Sequence, residues 1–291
     1  MTTTTSLIKV KNLRKQYKKF ILGPIDFEVE MGTIVGLVGG NGSGKSTFLR
    51  LLMQIIKADE GQIDIFNQSL QENEVEIKQK IGYAGELLEP FGHLHVSELA
   101  SLISYWYPRW DNERYKHLIQ RYQIDPEETF AKASKGTKKK IDFVFALCHH
   151  PTLLLLDEPT SGVDIISQRK MREDIMTFME NGEKSVLLAT HVVEEVNKLC
   201  DYVTVLDAGK VVESFNKDDV YEHWARMWVS YIPDSVKQQA YVVQYDVEPC
   251  QIVTNNMNAL GALLEQEQVT ITHTQRLTVE EVLEFLIEDQ Q

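Results

Sequence analysis

The sequence predicts an α/β fold: a mostly parallel core sheet, an antiparallel β edge on its N-terminal side, an inserted α-helical subdomain and a small C-terminal α+β domain. Three observations predict it. Short unbroken apolar runs at 33–38, 153–156 and 185–189 lack polar alternation, the mark of strands buried on both faces. Segments of helical character separate them, and parallel neighbours need such crossovers. Near the N-terminus the pattern changes: Phe27 and Val29 alternate with charged residues, as a half-exposed antiparallel strand does.

Taken in order, residues 7–10 and 21–30 read as strands joined by polar turns. The buried strand 33–38 runs into a glycine-rich turn and then a helix over 45–56. Glu60-Gly61 opens a strand over 62–66, and 81–84 is another. From 90 to 142 the pattern is helical and carries Tyr105, Trp106, Tyr107 and Trp110, so a helical subdomain is expected at about 88–145. Leu153-Leu154-Leu155-Leu156 leads into Asp157; a helix over 165–180 and a strand over 185–189 follow. A hairpin pairs 203–206 with 210–213 around Asp207-Ala208-Gly209. Beyond 216, helical and β-rich stretches alternate without a glycine-rich loop. This places a nucleotide-binding domain at 1–216 and an accessory domain at 217–291.

Composition narrows the function. With 30 Lys and Arg against 43 Asp and Glu, the formal charge is −13, which repels nucleic-acid backbones and anionic lipid. Lys138-Lys139-Lys140 and the basic run over 9–19 read as solvated charge, so no nucleic-acid partner is expected. Cys148, Cys200 and Cys250 are scattered, as free thiols in a reducing compartment are. His149 and His150 are adjacent and precede Pro151, which suits a helix end better than a metal site. Residues 1–6 are polar and have no signal-peptide core. No stretch of about 18 apolar residues is present to span a bilayer.

Two motifs carry chemistry. Gly39-Gly40-Asn41-Gly42-Ser43-Gly44-Lys45-Ser46-Thr47 fits GxxxxGK[ST] between an expected strand and an expected helix, defining a P-loop NTPase core. Its glycines let backbone N–H groups turn toward phosphate oxygens, and the helix N-terminus adds positive potential. Lys45 reaches the β- and γ-phosphates, and the Ser46 hydroxyl binds Mg²⁺. About 110 residues on, the four leucines end in Asp157-Glu158. Asp157 is placed to hold Mg²⁺, and Glu158 to orient or deprotonate an attacking water. ATP and Mg²⁺ are the expected substrate and cofactor.

Over residues 7–215 the chain resembles the nucleotide-binding subunit of ATP-binding-cassette (ABC) transporters. The resemblance assigns Tyr17 to adenine stacking, Ile81-Gly82-Tyr83-Ala84-Gly85-Glu86 to the Q-loop, and Ala133-Ser134-Lys135-Gly136-Thr137 to the signature. It assigns Ser161-Gly162-Val163-Asp164 to the D-loop and His191, after Thr190, to the switch histidine. In that family two subunits meet head to tail, so Ser134 and Gly136 of one copy would cover the γ-phosphate held by the other, with His191 touching it from its own side. Glu86 stands where the family has Gln and would add a carboxylate near Mg²⁺. Lys135 and Thr137 depart from the signature, and Gly40 replaces a usual Pro.

Tyr105-Trp106-Tyr107-Pro108-Arg109-Trp110-Asp111 and the stretch from Thr278 to Leu283 resemble an exporter branch from Gram-positive bacteria, linked to acetoin and to peptide or drug export. The aromatic segment serves either subdomain packing or docking of a membrane partner beside Glu86. The implied protein is an ATPase, peripheral on the cytoplasmic face of the membrane, that drives separate transmembrane permease subunits. It pairs with itself or with a second ABC ATPase. Two other classes are weighed against it. A soluble ribosome or DNA-repair ABC ATPase would carry two cassettes or a long coiled coil. A regulatory ATP-binding module would lack Glu158 or His191, and both are present.

Overall fold

The computed structural model describes residues 6–288, so the polar segment 1–5 lies outside the described residues. The chain divides into two compact units, 1–200 with 206–211, and 201–205 with 212–291. The division runs through one hairpin.

In the first unit, β1 (Ser6–Gln16) pairs antiparallel with β2 (Ile21–Glu30) on one side and with a later strand on the other. It is longer than the expected 7–10, because partners on both sides satisfy the backbone of its polar half. Alternate residues of β2 are buried from Gly23 to Val29, as one solvated face requires. β3 (Ile34–Val38) is buried throughout. α1 (Lys45–Leu52) is shorter than the expected 45–56. Gln54 adopts φ 49°, and the Arg50 carbonyl accepts from the N–H groups of Ile55 and Ile56, a left-handed closure that ends the helix.

β4 (Glu60–Ile65) is the second partner of β1, and β5 (Gln68–Ser69) completes a sheet of order β2-β1-β4-β5. After α2 (Glu74–Lys78) comes β6 (Ile81–Ala84), then the helices α3 (Val96–Ser104), α4 (Asn112–Arg121) and α5 (Lys135–Leu147). β7 (Leu153–Asp157), α6 (Ile165–Met179), β8 (Ser185–Thr190) and α7 (Val193–Leu199) follow. The strands β3, β8, β7 and β6 lie side by side in that order, all parallel. Every residue of β3, β7 and β8 is buried, which explains their unbroken apolar runs. The carboxyl ends of β3, β7 and β8 emerge together, where open parallel sheets carry ligands.

The aromatic stretch of the helical region divides its roles. Tyr107 stacks on His149 with ring centroids 4.0 Å apart, and Trp110 meets Phe145 at 6.0 Å. Tyr105 and Trp106 stay 81% and 68% exposed.

The hairpin of β9 (Tyr202–Asp207) and β10 (Lys210–Asn216) turns on Ala208 and Gly209, both at positive φ. The second unit continues through α8 (Lys217–His223), β11 (Ala225–Val229), α9 (Asp234–Lys237), β12 (Val242–Val247), β13 (Cys250–Thr254), α10 (Met257–Gln266), β14 (Ile271–Arg276) and α11 (Val279–Glu288). Its antiparallel sheet has order β12-β13-β11-β14. Met227, Val229 and Ile252 of that sheet pack with Val236, Leu260 and Leu264 of α9 and α10. A reciprocal cap between Thr278 and Glu281 starts α11. Among the described residues no helix is long and apolar enough to cross a membrane.

Candidate nucleotide-hydrolysis site

β3 delivers the chain into the glycine-rich loop, and the loop ends at Gly44, the left-handed N-cap of α1 with φ 113°. Only glycine fits here. A Cβ would stand 2.6 Å from Leu22 Cδ1 and 2.9 Å from Phe20 Cζ. The loop and the start of α1 wall a cavity of about 350 Å³, into which Asn41, Gly42, Lys45, Ser46 and Thr47 all face. Unpaired N–H groups and the helix dipole make such a start attractive to phosphate.

Lys45 is buried, and its ammonium turns back onto the loop, donating to the carbonyls of Gly39 at 2.7 Å and Gly40 at 3.1 Å. Burial lowers its pKa, while Glu158 and Asp157 act in the opposite direction. The Ser46 hydroxyl donates to Asp157 Oδ1 at 3.0 Å. Burial raises the pKa of Asp157, and that hydrogen bond resists it. A hydroxyl and a carboxylate oxygen together at the cavity are hard donors of the kind Mg²⁺ takes alongside substrate phosphates. Ser43 Oγ lies buried in the same loop with no partner among the described residues, a polar atom that a phosphate oxygen would satisfy. Among the described residues no cluster of three or more His, Cys, Asp and Glu would hold a metal unaided. Ser46 and Asp157 fit a metal that substrate phosphates help to hold.

Glu158 follows Asp157 at the strand end with φ 47°. Its Oε1 sits between Lys45 Nζ at 3.8 Å and His191 Nδ1 at 3.0 Å. The imidazole donates to the carboxylate in this contact. Glu86 lines the cavity opposite, 3.6 Å from Lys139 Nζ, which also donates to the Asp157 carbonyl at 3.0 Å. The structure thus brings Lys45, Ser46, Glu86, Asp157, Glu158 and His191 together.

Four other predicted residues stand elsewhere. Tyr17 is 42% exposed in the turn after β1, and Phe20, whose carbonyl accepts from the Tyr17 N–H at 2.8 Å, is the aromatic that lines the cavity. Ser134 caps α5, accepting from the Thr137 N–H at 3.1 Å, and is not among the cavity's lining. Gly136 packs on the D-loop of its own chain: a Cβ there would meet the Gly162 carbonyl oxygen at 2.4 Å. Asp164 caps α6 through the Ser167 N–H at 2.9 Å, which lowers its pKa.

Sequence reasoning missed Glu195. This glutamate on α7 is 3% exposed and accepts hydrogen bonds from Thr160 Oγ1 and Thr190 Oγ1. The Thr190 hydroxyl also accepts from the Val192 N–H at 3.0 Å. One carboxylate therefore ties the residue before the Ser161-Gly162 turn to the backbone on both sides of His191. Its position five residues after Thr190 was the available signal.

A phosphate-binding loop, a hydroxyl–carboxylate pair and a glutamate–histidine contact around one cavity define an ATP-hydrolysing α/β cassette. The profile of the ABC transporter family matches residues 22–161. An uncharacterized ABC transporter ATP-binding protein of Methanocaldococcus jannaschii is 34% identical over 241 residues, covering 77% of this chain and 82% of that one. The bacitracin transport ATP-binding protein of Bacillus licheniformis is 31% identical over 219 residues, covering 74% and 71%. A solved ATP-binding subunit of an ABC transporter superposes with TM-score 0.66 at 26% identity, covering 74% of this chain and 92% of that one. A dimeric ABC cassette captured after hydrolysis with ADP and Pi superposes with TM-score 0.64 at 23% identity, covering 72% and 98%. The chain belongs to the ATP-binding subunits of ABC transporters. It binds and hydrolyses ATP, and members of this family act as dimers with membrane permease subunits.

Proposed function

We propose that the cavity binds MgATP in the residue roles the geometry supports best. The observation that carries this reading is Glu158 Oε1 held between Lys45 and His191, beside the Ser46–Asp157 pair. The β- and γ-phosphates take the Lys45 ammonium away from the Gly39 and Gly40 carbonyls, and the loop N–H groups and Ser43 hydroxyl hold their oxygens. Ser46 and Asp157 would hold Mg²⁺, with Glu86 in the same cavity lining, and the ion would supply neutralisation of phosphate charge. Glu158 accepts a proton from the attacking water, and His191 orients the Glu158 carboxylate. Tyr17 and Phe20 offer rings on the adenine side.

A second copy completes the site. Every element, from P-loop to signature, is in one chain, so a homodimer would hold two full sites, each closed by the partner's Ser134 and Gly136. We assign the chain to the cytoplasmic face of the membrane and its direction to export. The export reading is supported by likeness to the bacitracin transport protein and to the linearmycin resistance ATP-binding protein of Bacillus subtilis, 31% identical over 223 residues. The membrane subunit docks on the groove beside Glu86, where Tyr105 and Trp106 stand exposed. Residues 217–291 form an accessory domain.

The test is phosphate release from MgATP at rising protein concentration. A rate per subunit that climbs with concentration, and is abolished with dimer trapped in Glu158→Gln, is expected. Undiminished turnover in Glu158→Gln would overturn the assignment of the base.

A further inference from the structure

Gly85 and Leu87, the sequence neighbours of Glu86, line a second cavity of about 280 Å³. It is lined by Tyr83, Leu88, Ile103, Trp106, Tyr107 and Phe145, so its walls are mostly apolar and aromatic. One carboxylate breaks that lining. Asp142 of α5 is 6% exposed, lines the cavity, and has no hydrogen bond from any described residue.

The nearby cations are committed elsewhere. Lys138 Nζ is held by both Glu89 carboxylate oxygens at 2.9 and 3.1 Å. Lys139 Nζ serves the Asp157 carbonyl and Glu86. His149, also in the lining, donates Nε2–H to the Ile81 carbonyl at 2.9 Å, and burial lowers its pKa to about 4, so it is neutral at pH 7. A buried carboxyl without partners is costly and is retained where something pairs with it. Aromatic faces around it favour a cation as well.

We propose that this slot receives one lysine or arginine side chain from an otherwise apolar segment of the membrane subunit, with Asp142 as its counter-ion. The proposal rests on the reading that the membrane subunit docks at this groove, and it names what the partner must carry there. The cation's stem packs along Trp106 and Tyr107 while its head meets Asp142. Burial raises the carboxyl's pKa to about 8, so in the free chain it keeps its proton, and the incoming cation takes that proton's place.

The probes are n-butylguanidinium, an arginine side-chain analogue, and n-butylurea, its neutral counterpart. Each is titrated into the full chain labelled with 5-fluorotryptophan. The chain has four tryptophans, and Trp106→Phe assigns the reporting ¹⁹F signal. The expected result is saturable movement of the Trp106 signal, with the cation bound roughly tenfold tighter than the urea. Asp142→Asn should remove that preference while leaving basal ATP turnover unchanged. Equal binding of both probes to the native chain would overturn the counter-ion role and leave an apolar docking groove standing. A preference that survives Asp142→Asn, or no movement with either probe, would overturn the proposal.

Discussion

Replacing Asp142 by Asn should stabilise the isolated chain, and by an amount that depends on pH. Asp142 has an ordinary value of 3.8 and is raised to about 8, first by burial and then by Glu86 and Glu89, against Lys139 and Lys138. The folded chain therefore binds more protons at this site than the unfolded chain between those two values. Stability falls as pH rises wherever the folded state holds the extra proton, so the native penalty begins near pH 4 and is complete above pH 8. At pH 7 the gap of about three pH units corresponds to about 4 kcal/mol. Asn has nearly the shape of the protonated acid and no ionisation, so the variant should match the native chain near pH 4 and exceed it by about that amount at pH 7. Urea unfolding followed by near-ultraviolet absorbance of the first unit, at pH 4.5, 6, 7 and 8, measures the difference. A gap between variant and native chain that stays constant with pH, or a variant that is less stable at pH 7, would refute the reasoning.

Two further outcomes follow from the site. Glu195→Ala leaves the hydroxyls of Thr160 and Thr190 buried without an acceptor, at a cost of about 2–4 kcal/mol. Steady-state kinetics should show kcat falling about tenfold or more with KM nearly unchanged, Glu195→Gln lying between, and an unaltered kcat would remove Glu195 from the mechanism. Gly136→Ala should lower the concentration-dependent turnover without loosening ATP in the isolated chain, because the new methyl meets the Gly162 carbonyl rather than the nucleotide cavity. Titration calorimetry against phosphate release separates the two, and a loss of ATP affinity equal to the loss of rate would contradict it.

How much was legible depended on how local the chemistry is. The loop over 39–47 and the Asp157-Glu158 step were legible as motifs, since each lies within a few positions of a strand end. The buried strands were readable because apolar runs of five residues leave no solvated face. Phe20 was not, because nothing in a turn of lysines and aromatics tells which ring reaches back over the loop; the close approach to Gly44 decides it. Glu195 belongs to no sequence motif, and only the fold brings Thr160 and the strand-end Thr190 to it. Asp142 lies two residues past Lys138-Lys139-Lys140 and belongs to no motif that singles it out. The clue was its place inside the run Ile141-Asp142-Phe143-Val144-Phe145, which α5 buries completely. The end of α1 was missed because its apolar pattern continues through Ile55 and Ile56 after the backbone has left the helix.

The contact between Gly136 and the Gly162 carbonyl has a bearing on recombination between relatives. The two positions are separated in sequence by the rest of α5 and all of β7, yet the Gly162 carbonyl leaves no room for a Cβ on Gly136. A chimaera that imports helices α3 to α5 from another cassette while keeping the host's 160–164 turn would join two surfaces shaped in different lineages, across a gap that does not admit one methyl group. Grafts that carry the turn together with the helices keep the match, and the crossover point should therefore be set after Asp164, not at the end of α5.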